Sequence, residues 1–411
     1  MTTTFYMPAL EKSALYDRLR DYASAIKTDP MTNSVFRLAQ DVFFDLSENR
    51  ISPDDLSKLV ADIELDLFVE RASYLRRQHR LDKPLSSQKD ALNKLADMGF
   101  AAFEERVADP RGGIVFTAHP TFANPRAVRH ELAKCASTGQ SPSVPVSGSI
   151  DDASKITLEE EHEEAQSAIA HAQKSMRKDS QSILDIARAR FPDEWKRLKL
   201  CPPSISSWVA YDLDGRNDIS SWKSLSFRLN EKSVQLNRYA DQLSMITGSD
   251  KSDAMIRTLR EAADLAALQA SAFEQDLSVP EKLVLAANLL TEENSARLVS
   301  LKPFCEQLTQ MALAADDIAA RDLIILRTEM ETLGLGTARI HLRINAAQLQ
   351  SVIRRDLGLA TENHEIGQVA LDALAAKIRS NEKVEINFSD LFLEQGTAKR
   401  QLMMCAQILK H

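Results

Sequence analysis

A chain of 411 residues, 44% apolar and 27% charged, has the make-up of an ordinary globule. It is long enough for two or three domains, or for one large helical protein around a barrel. Its formal charge of −8 excludes a general nucleic-acid binder, and no lysine-arginine block is long enough to reverse that. A site for an anionic metabolite stays open, because a few arginines can change the sign of the potential inside one cleft.

The opening, Met1 to Pro8, has no basic region followed by a long apolar core, and no apolar run approaches the length of a bilayer span. Neither a signal peptide nor contact with a membrane is expected. The four cysteines, Cys135, Cys201, Cys305 and Cys405, are scattered and lack metal-ligand spacing. Reduced thiols and a cytoplasmic location follow as expectations.

In chain order, residues 1–110 read as a helical region. Val35 to Phe44 repeats apolar positions at three and four, and so does Leu56 to Leu75. Ser52 and Pro53 give the second of these a cap and a first turn. Gln88 to Val107 reads as a third helix, closed by Asp109-Pro110. Ile114 to Phe116 is a short apolar run, the pattern of a strand buried on both faces. The polar stretch Ser137 to Ser154 reads as a mobile loop. Glu159 to Arg190 has so sparse an apolar stripe that a long exposed helix is expected, one arm of a hairpin.

Further helices are expected at Ser220–Ile246, Ser252–Phe273, Val279–Leu290, Glu292–Ala314 and Asp317–Leu333, with Ser252 and Thr291 as caps. Ser207–Ala210 and Thr337–Ile344 read as strands, and Val384 to Phe388 as a weaker one. Arg400 to Lys410 is a helix that stops at His411 without a capping glycine, which reads as an interruption of a longer chain. The balance is mostly α-helical with a few parallel strands joined by long helical crossovers. Three or four strands are too few to close an eight-stranded barrel.

Three polar clusters follow these strands. The first holds Thr117, His119 and Thr121, then Arg126 and Arg129. An imidazole that moves protons near neutral pH stands beside guanidinium forks suited to carboxylate or phosphate. A hydrogen-bonded histidine at a strand end with surface arginines is the competing reading. The second cluster places Asp212 and Asp214 around Leu213, before Gly215. Paired acids can orient arginines or bind a cation, and a plain Asp-Gly strand exit is the alternative. In the third, Arg339, His341 and Arg343 alternate with Ile340, Leu342 and Ile344. That row is either a lined pocket or an exposed amphipathic strand. Taken together, the clusters describe a positively lined pocket for a small phosphorylated or carboxylated compound.

These residues also carry a family pattern. Val115-Phe-Thr-Ala-His-Pro-Thr121 resembles the signature strand and loop of phosphoenolpyruvate carboxylase. Ser207-Trp-Val-Ala-Tyr-Asp-Leu-Asp-Gly215 resembles its second segment, usually Ser-Trp-Met-Gly-Gly-Asp-Arg-Asp-Gly, and Leu335 to Asn345 its third, around Leu-Asp-Ile-Arg-Gln. Order and wide spacing match over most of this chain, which would correspond to the amino-terminal half of a family enzyme.

The resemblance implies a truncated (β/α)8 barrel. Residues 111–411 would supply its first strands and loops, about 114–121, 207–214 and 337–345, with long helical insertions. It implies conversion of phosphoenolpyruvate and bicarbonate to oxaloacetate and phosphate by a full-length, usually tetrameric, enzyme. His119 would assist carboxyphosphate breakdown and hold CO₂ against the enolate. Arg343 would clamp phosphoryl or carboxyl oxygens, Arg126 would be the second member of an arginine pair whose first position is Pro125, and Asp212 and Asp214 would order the arginines.

Mg²⁺ or Mn²⁺ would be bound by acids in the other half of such an enzyme, so the isolated 411 residues are expected to be inactive. The departures are Ala210-Tyr211 for Gly-Gly, Leu213 for the arginine between the acids, Arg216-Asn217 for Asn-Pro, and His341 for the aspartate of the third segment. They favour an alternative, a non-catalytic relative with a regulatory or organic-acid-binding role. An unrelated enzyme acting on a phosphate ester is a third possibility, but the sequence offers it no nucleophile in a convincing setting.

Overall fold

Apolar side chains recur at helical spacing through most of the chain, and helices form there. The computed structural model describes residues 11–31, 33–79, 81, 86–110, 112–117, 124–143, 146, 156–212, 219–246, 250–356, 367–380, 388–394 and 396–411. In order come α1 (Lys12–Ala25), α2 (Ser34–Ser47), α3 (Pro53–Gln78), α4 (Ser86–Ala96), α5 (Phe100–Ala108), β1 (Gly113–Phe116), α6 (Arg126–Thr138), α7 (Leu158–Arg190) and β2 (Ser204–Ser207). After these lie α8 (Ser221–Ile246), α9 (Asp250–Phe273), α10 (Pro280–Thr291), α11 (Lys302–Ala314), α12 (Asp317–Leu333) and β3 (Arg339–Ile340). The last four are α13 (Ala346–Asp356), α14 (Gln368–Ser380), α15 (Phe388–Leu393) and α16 (Thr397–Lys410). Among the described residues no helix is long and apolar enough to cross a membrane.

The chain divides into two compact units, Met1–Leu85 with Pro120–Ile156, and Ser86–His119 with Thr157–His411. In the first, α3 packs on α6 around Phe68, Ala72 and Cys135. Ser52 caps α3 with Pro53 in the first turn, as the sequence led us to expect, and Asp55 completes a reciprocal capping box that it did not. Arg76 of α3 donates to the carbonyls of Ala136 (3.2 Å) and Ser137 (2.8 Å), satisfying the end of α6 where Gly139 turns left-handed at φ 76°.

In the second unit α8 lies along α9, and α12 packs on α7, α8 and α11. The main core holds Leu184, Trp195, Leu236, Tyr239, Leu259 and Leu323. A second core, with Leu225, Leu229, Phe273, Phe388 and Met404, joins α8 to α15 and α16.

A three-stranded parallel sheet in the order β1-β2-β3 crosses this unit, not closed into a barrel. Gly113 pairs with Ser204 and Phe116 with Ser207, while Ser206 and Ser207 pair with Arg339 and Ile340. Against expectation, β1 is not buried on both faces: it is an edge strand with Ile114 and Val115 exposed. β2 precedes its expected position, ending at Ser207, because the chain turns at Trp208–Tyr211. β3 is a two-residue strand, and residues 341–345 leave it.

Other differences are local. Gln88–Val107 is two helices, α4 and α5, separated where Gly99 takes φ 94°. Residues 292–301 are not helical, so Thr291 ends α10 and caps nothing. Ser252 lies inside α9. Helix α7 is central, with ten buried residues. Of the weak strand expectation at Val384–Phe388, 384–387 lie outside the described residues and Phe388 opens α15. The supposed loop Ser137–Ser154 begins inside α6, and 144, 145 and 147–154 are outside the described residues.

Candidate functional site at the carboxyl edge of the sheet

Parallel pairing places the carboxyl ends of β1, β2 and β3 along one edge, where open α/β sheets gather ligands. Strand β2 is held between its neighbours at that edge. The Ser207 hydroxyl donates to the Phe116 carbonyl at 3.0 Å, and the His341 amide donates to the Ser207 carbonyl at 2.9 Å. The chain then turns tightly, the Tyr211 amide donating to Trp208 O at 2.9 Å. Ala210 sits in this turn at φ 71°, in the left-handed region that glycine occupies at lower cost. The Ser224 hydroxyl secures it, donating to the Ala210 carbonyl at 2.6 Å.

Arg343 reaches back from the exit of β3 to the exit of β2. Its guanidinium carbon lies 4.5 Å from the centroid of the Trp208 ring, a cation–π contact that positions the arginine without neutralising it. Arg339, His341 and Arg343 are all exposed and the intervening residues half-buried, so the alternation is real and its polar row faces solvent.

Beneath the turn lies a buried ionic hub. Glu231 of α8 accepts from His162 Nε2 (2.9 Å), the Tyr211 hydroxyl (2.8 Å) and Gln166 Nε2 (3.2 Å) on one oxygen, and from Arg228 Nη1 (2.9 Å) on the other. Burial alone would raise its carboxyl, but the His162 hydrogen bond and the Arg228 charge prevail and hold it below the usual carboxylate range. Burial and the Glu231 charge push the Tyr211 phenol far above its ordinary value. With four donors engaged, Glu231 is an anchor and not a free base.

Arg228 also donates to the Ala338 carbonyl at 3.0 Å, just before β3, and its guanidinium lies where a Cβ on Gly336 would collide. Gln173 donates to the Thr337 carbonyl at 2.6 Å, and the Thr337 hydroxyl to Gln166 at 2.7 Å. Side chains of α7 and α8 therefore tie the exit of β2 to the entry of β3.

Of the residues singled out from sequence, Arg343 stands at the carboxyl edge. Asp212 follows the turn with one carboxylate oxygen buried and unpartnered, and it makes no ion pair among the described residues. His119 and Asp214 lie outside the described residues. Arg126 opens α6, in the first unit. The hub residues His162, Arg228 and Glu231 escaped the sequence reading. Their signal was His162 and Gln173 standing on the buried stripe of α7 with Ile169 and Met176. Among the described residues no three His, Cys, Asp or Glu side chains are grouped to hold a metal ion. Comparison with protein-family models and with curated proteins gives no match.

Proposed function

We propose that the chain is the amino-terminal part of a phosphoenolpyruvate carboxylase-like protein, its sheet forming the first strands of a (β/α)8 barrel. The contact of Arg343 with Trp208 carries this reading, because it joins the second and third sequence motifs at one edge. Two further observations support it. The strands are parallel and adjacent in chain order, as successive barrel strands are, and Ala210 takes a left-handed φ where the family pattern has glycine.

In this reading Arg343 binds and orients phosphoryl or carboxyl oxygens of phosphoenolpyruvate beside bicarbonate. His119 would handle the proton and CO₂, Asp212 and Asp214 would order the arginines, and Arg126 matches the second member of the family's arginine pair. Those assignments rest on the resemblance. Mg²⁺ or Mn²⁺ would supply charge neutralisation from acids beyond residue 411, in a cytoplasmic tetramer.

The second reading, a non-catalytic relative, is favoured by Tyr211. That side chain is buried and tied to Glu231, and it serves the core instead of the site. A coupled oxaloacetate assay beside calorimetry with phosphoenolpyruvate and Mg²⁺ separates the two. For the full-length protein, turnover is expected, His119→Asn should keep binding and lose carboxylation, and Arg343→Ala should impair both. Binding without turnover selects the non-catalytic relative. Undiminished oxaloacetate from His119→Asn refutes the carboxylase assignment.

A further inference from the structure

A cleft of about 290 Å³ opens in the second unit where α7, α8 and α12 meet. It borders the entry to β3, because Gln173, one of its lining residues, donates to the Thr337 carbonyl. Arg343 stands past the other end of that strand and takes no part in it. Among the described residues that line the cleft, Ala170 is the single apolar side chain. Lys174 and Arg177 share one face of α7, three residues apart, and Arg238 meets them from α8.

Both arginines are held by buried neighbours. Arg177 donates to the two oxygens of Glu329, each at 3.1 Å. Glu329 is 8% exposed and is the one acid among the described lining residues. Arg238 donates to the side-chain oxygen of Gln173. Gln173 is 5% exposed and fixed in turn, its amide donating to Gln235 at 3.1 Å and to the Thr337 carbonyl at 2.6 Å. The partner of Arg238 is therefore rigid and neutral, which orients the guanidinium and leaves its charge in place. Among the described residues neither Arg238 nor Lys174 forms an ion pair. Asp241, one turn along α8 from Arg238, is taken by Arg260.

Three cations thus share one carboxylate. Burial lifts that carboxyl above its ordinary value against the pull of Arg177 and Arg238, so it is a reluctant counter-ion.

We infer that this cleft binds a phosphate group, as the free ion or on a small polar molecule, among Arg238, Arg177 and Lys174. Three cations less one acid leave two positive charges, close to the opposite of what a phosphate monoester carries near neutral pH. The arginines offer such a group planar forks and the lysine a point charge. A lining with so little apolar surface gives no wall for a hydrocarbon part, which sets aside an apolar anion. The inference is independent of the carboxylase reading.

Calorimetry of the 411-residue chain at neutral pH with inorganic phosphate, glycerol 3-phosphate and acetate tests this. At least one of the two phosphates should bind one-to-one with a dissociation constant below about 1 mM. Tighter binding of glycerol 3-phosphate identifies a phosphorylated small molecule, and equal or tighter binding of inorganic phosphate identifies the free ion. Acetate, with a single charge, should bind at least about tenfold more weakly. Lys174→Met should weaken phosphate binding severalfold, and Arg238→Met about tenfold or more. Circular dichroism shows whether each variant is folded. Lys174 is exposed, so its variant keeps the test open even where Arg238→Met fails to fold. Absence of phosphate binding to the unmodified chain overturns the inference, as does unchanged affinity in every folded variant. Binding lost in Arg343→Ala and kept in Lys174→Met and Arg238→Met places the anion at the carboxyl edge and overturns it too.

Discussion

Glu231 is the residue on which most of the local order converges. It joins α8 to α7 through His162 and Gln166, to the β2 exit through Tyr211, and to the β3 entry through Arg228. Replacing it by Gln removes the charge and leaves the Arg228 guanidinium buried without its counter-ion, a change that costs about 3–5 kcal/mol. Tyr211→Phe removes one donor to a charged acceptor that keeps three others, so the loss should fall at the lower end of about 1.5–3 kcal/mol. Urea unfolding followed by circular dichroism checks both. If Glu231→Gln unfolds at the same midpoint as the parent, the hub is not an anchor. Sequence reading set Tyr211 apart only as a departure from the family pattern, and it could not see that a helix some twenty positions downstream held the carboxylate for its hydroxyl. Polar side chains that pair across long separations leave no periodic trace.

At the scale of elements, periodicity recovered the helices whose apolar stripe is continuous and misjudged those where polar residues occupy the stripe. Helix α7 buries His162, Gln173 and Ser180 beside Ile169 and Leu184, so its sequence looked solvent-facing while its structure is central. Strand β2 buries Ile205, Ser206 and Ser207, and serine carries little strand signal. Its hydroxyl at 207 is spent on the Phe116 carbonyl, which is why a polar residue fits there. The division between α4 and α5 turns on Gly99, whose backbone at φ 94° and ψ 166° lies in a region essentially restricted to glycine. An added Cβ would meet nothing within 4 Å, so Gly99→Ala isolates the backbone effect from any clash. A loss of about 1–3 kcal/mol in denaturant unfolding is expected. A gain, of the kind a helix-favouring alanine gives in a continuous helix, would mean that 88–107 is one helix after all.

For the whole molecule, the legible part was the ratio of helix to strand and the parallel order of three strands far apart in sequence. What stayed hidden was the set of buried charges that fixes their relative positions, and these give the molecule a definite response to pH. His411, ordinarily near 6.5, stands at about 4 in the folded chain. A depressed value means that the unfolded chain binds the proton more readily, so the stability this group contributes is present above 6.5 and is lost as pH falls through 4. Glu231 acts with the same sign, since its carboxyl is held below the usual range and its contribution disappears as pH drops beneath that range. The thermal midpoint should therefore fall between pH 6.5 and 4 more steeply in the parent than in His411→Gln, which has no titrating ring among Lys232, Arg297 and Lys410. Parallel slopes for parent and variant would show that His411 titrates normally and that the cations around it are already compensated.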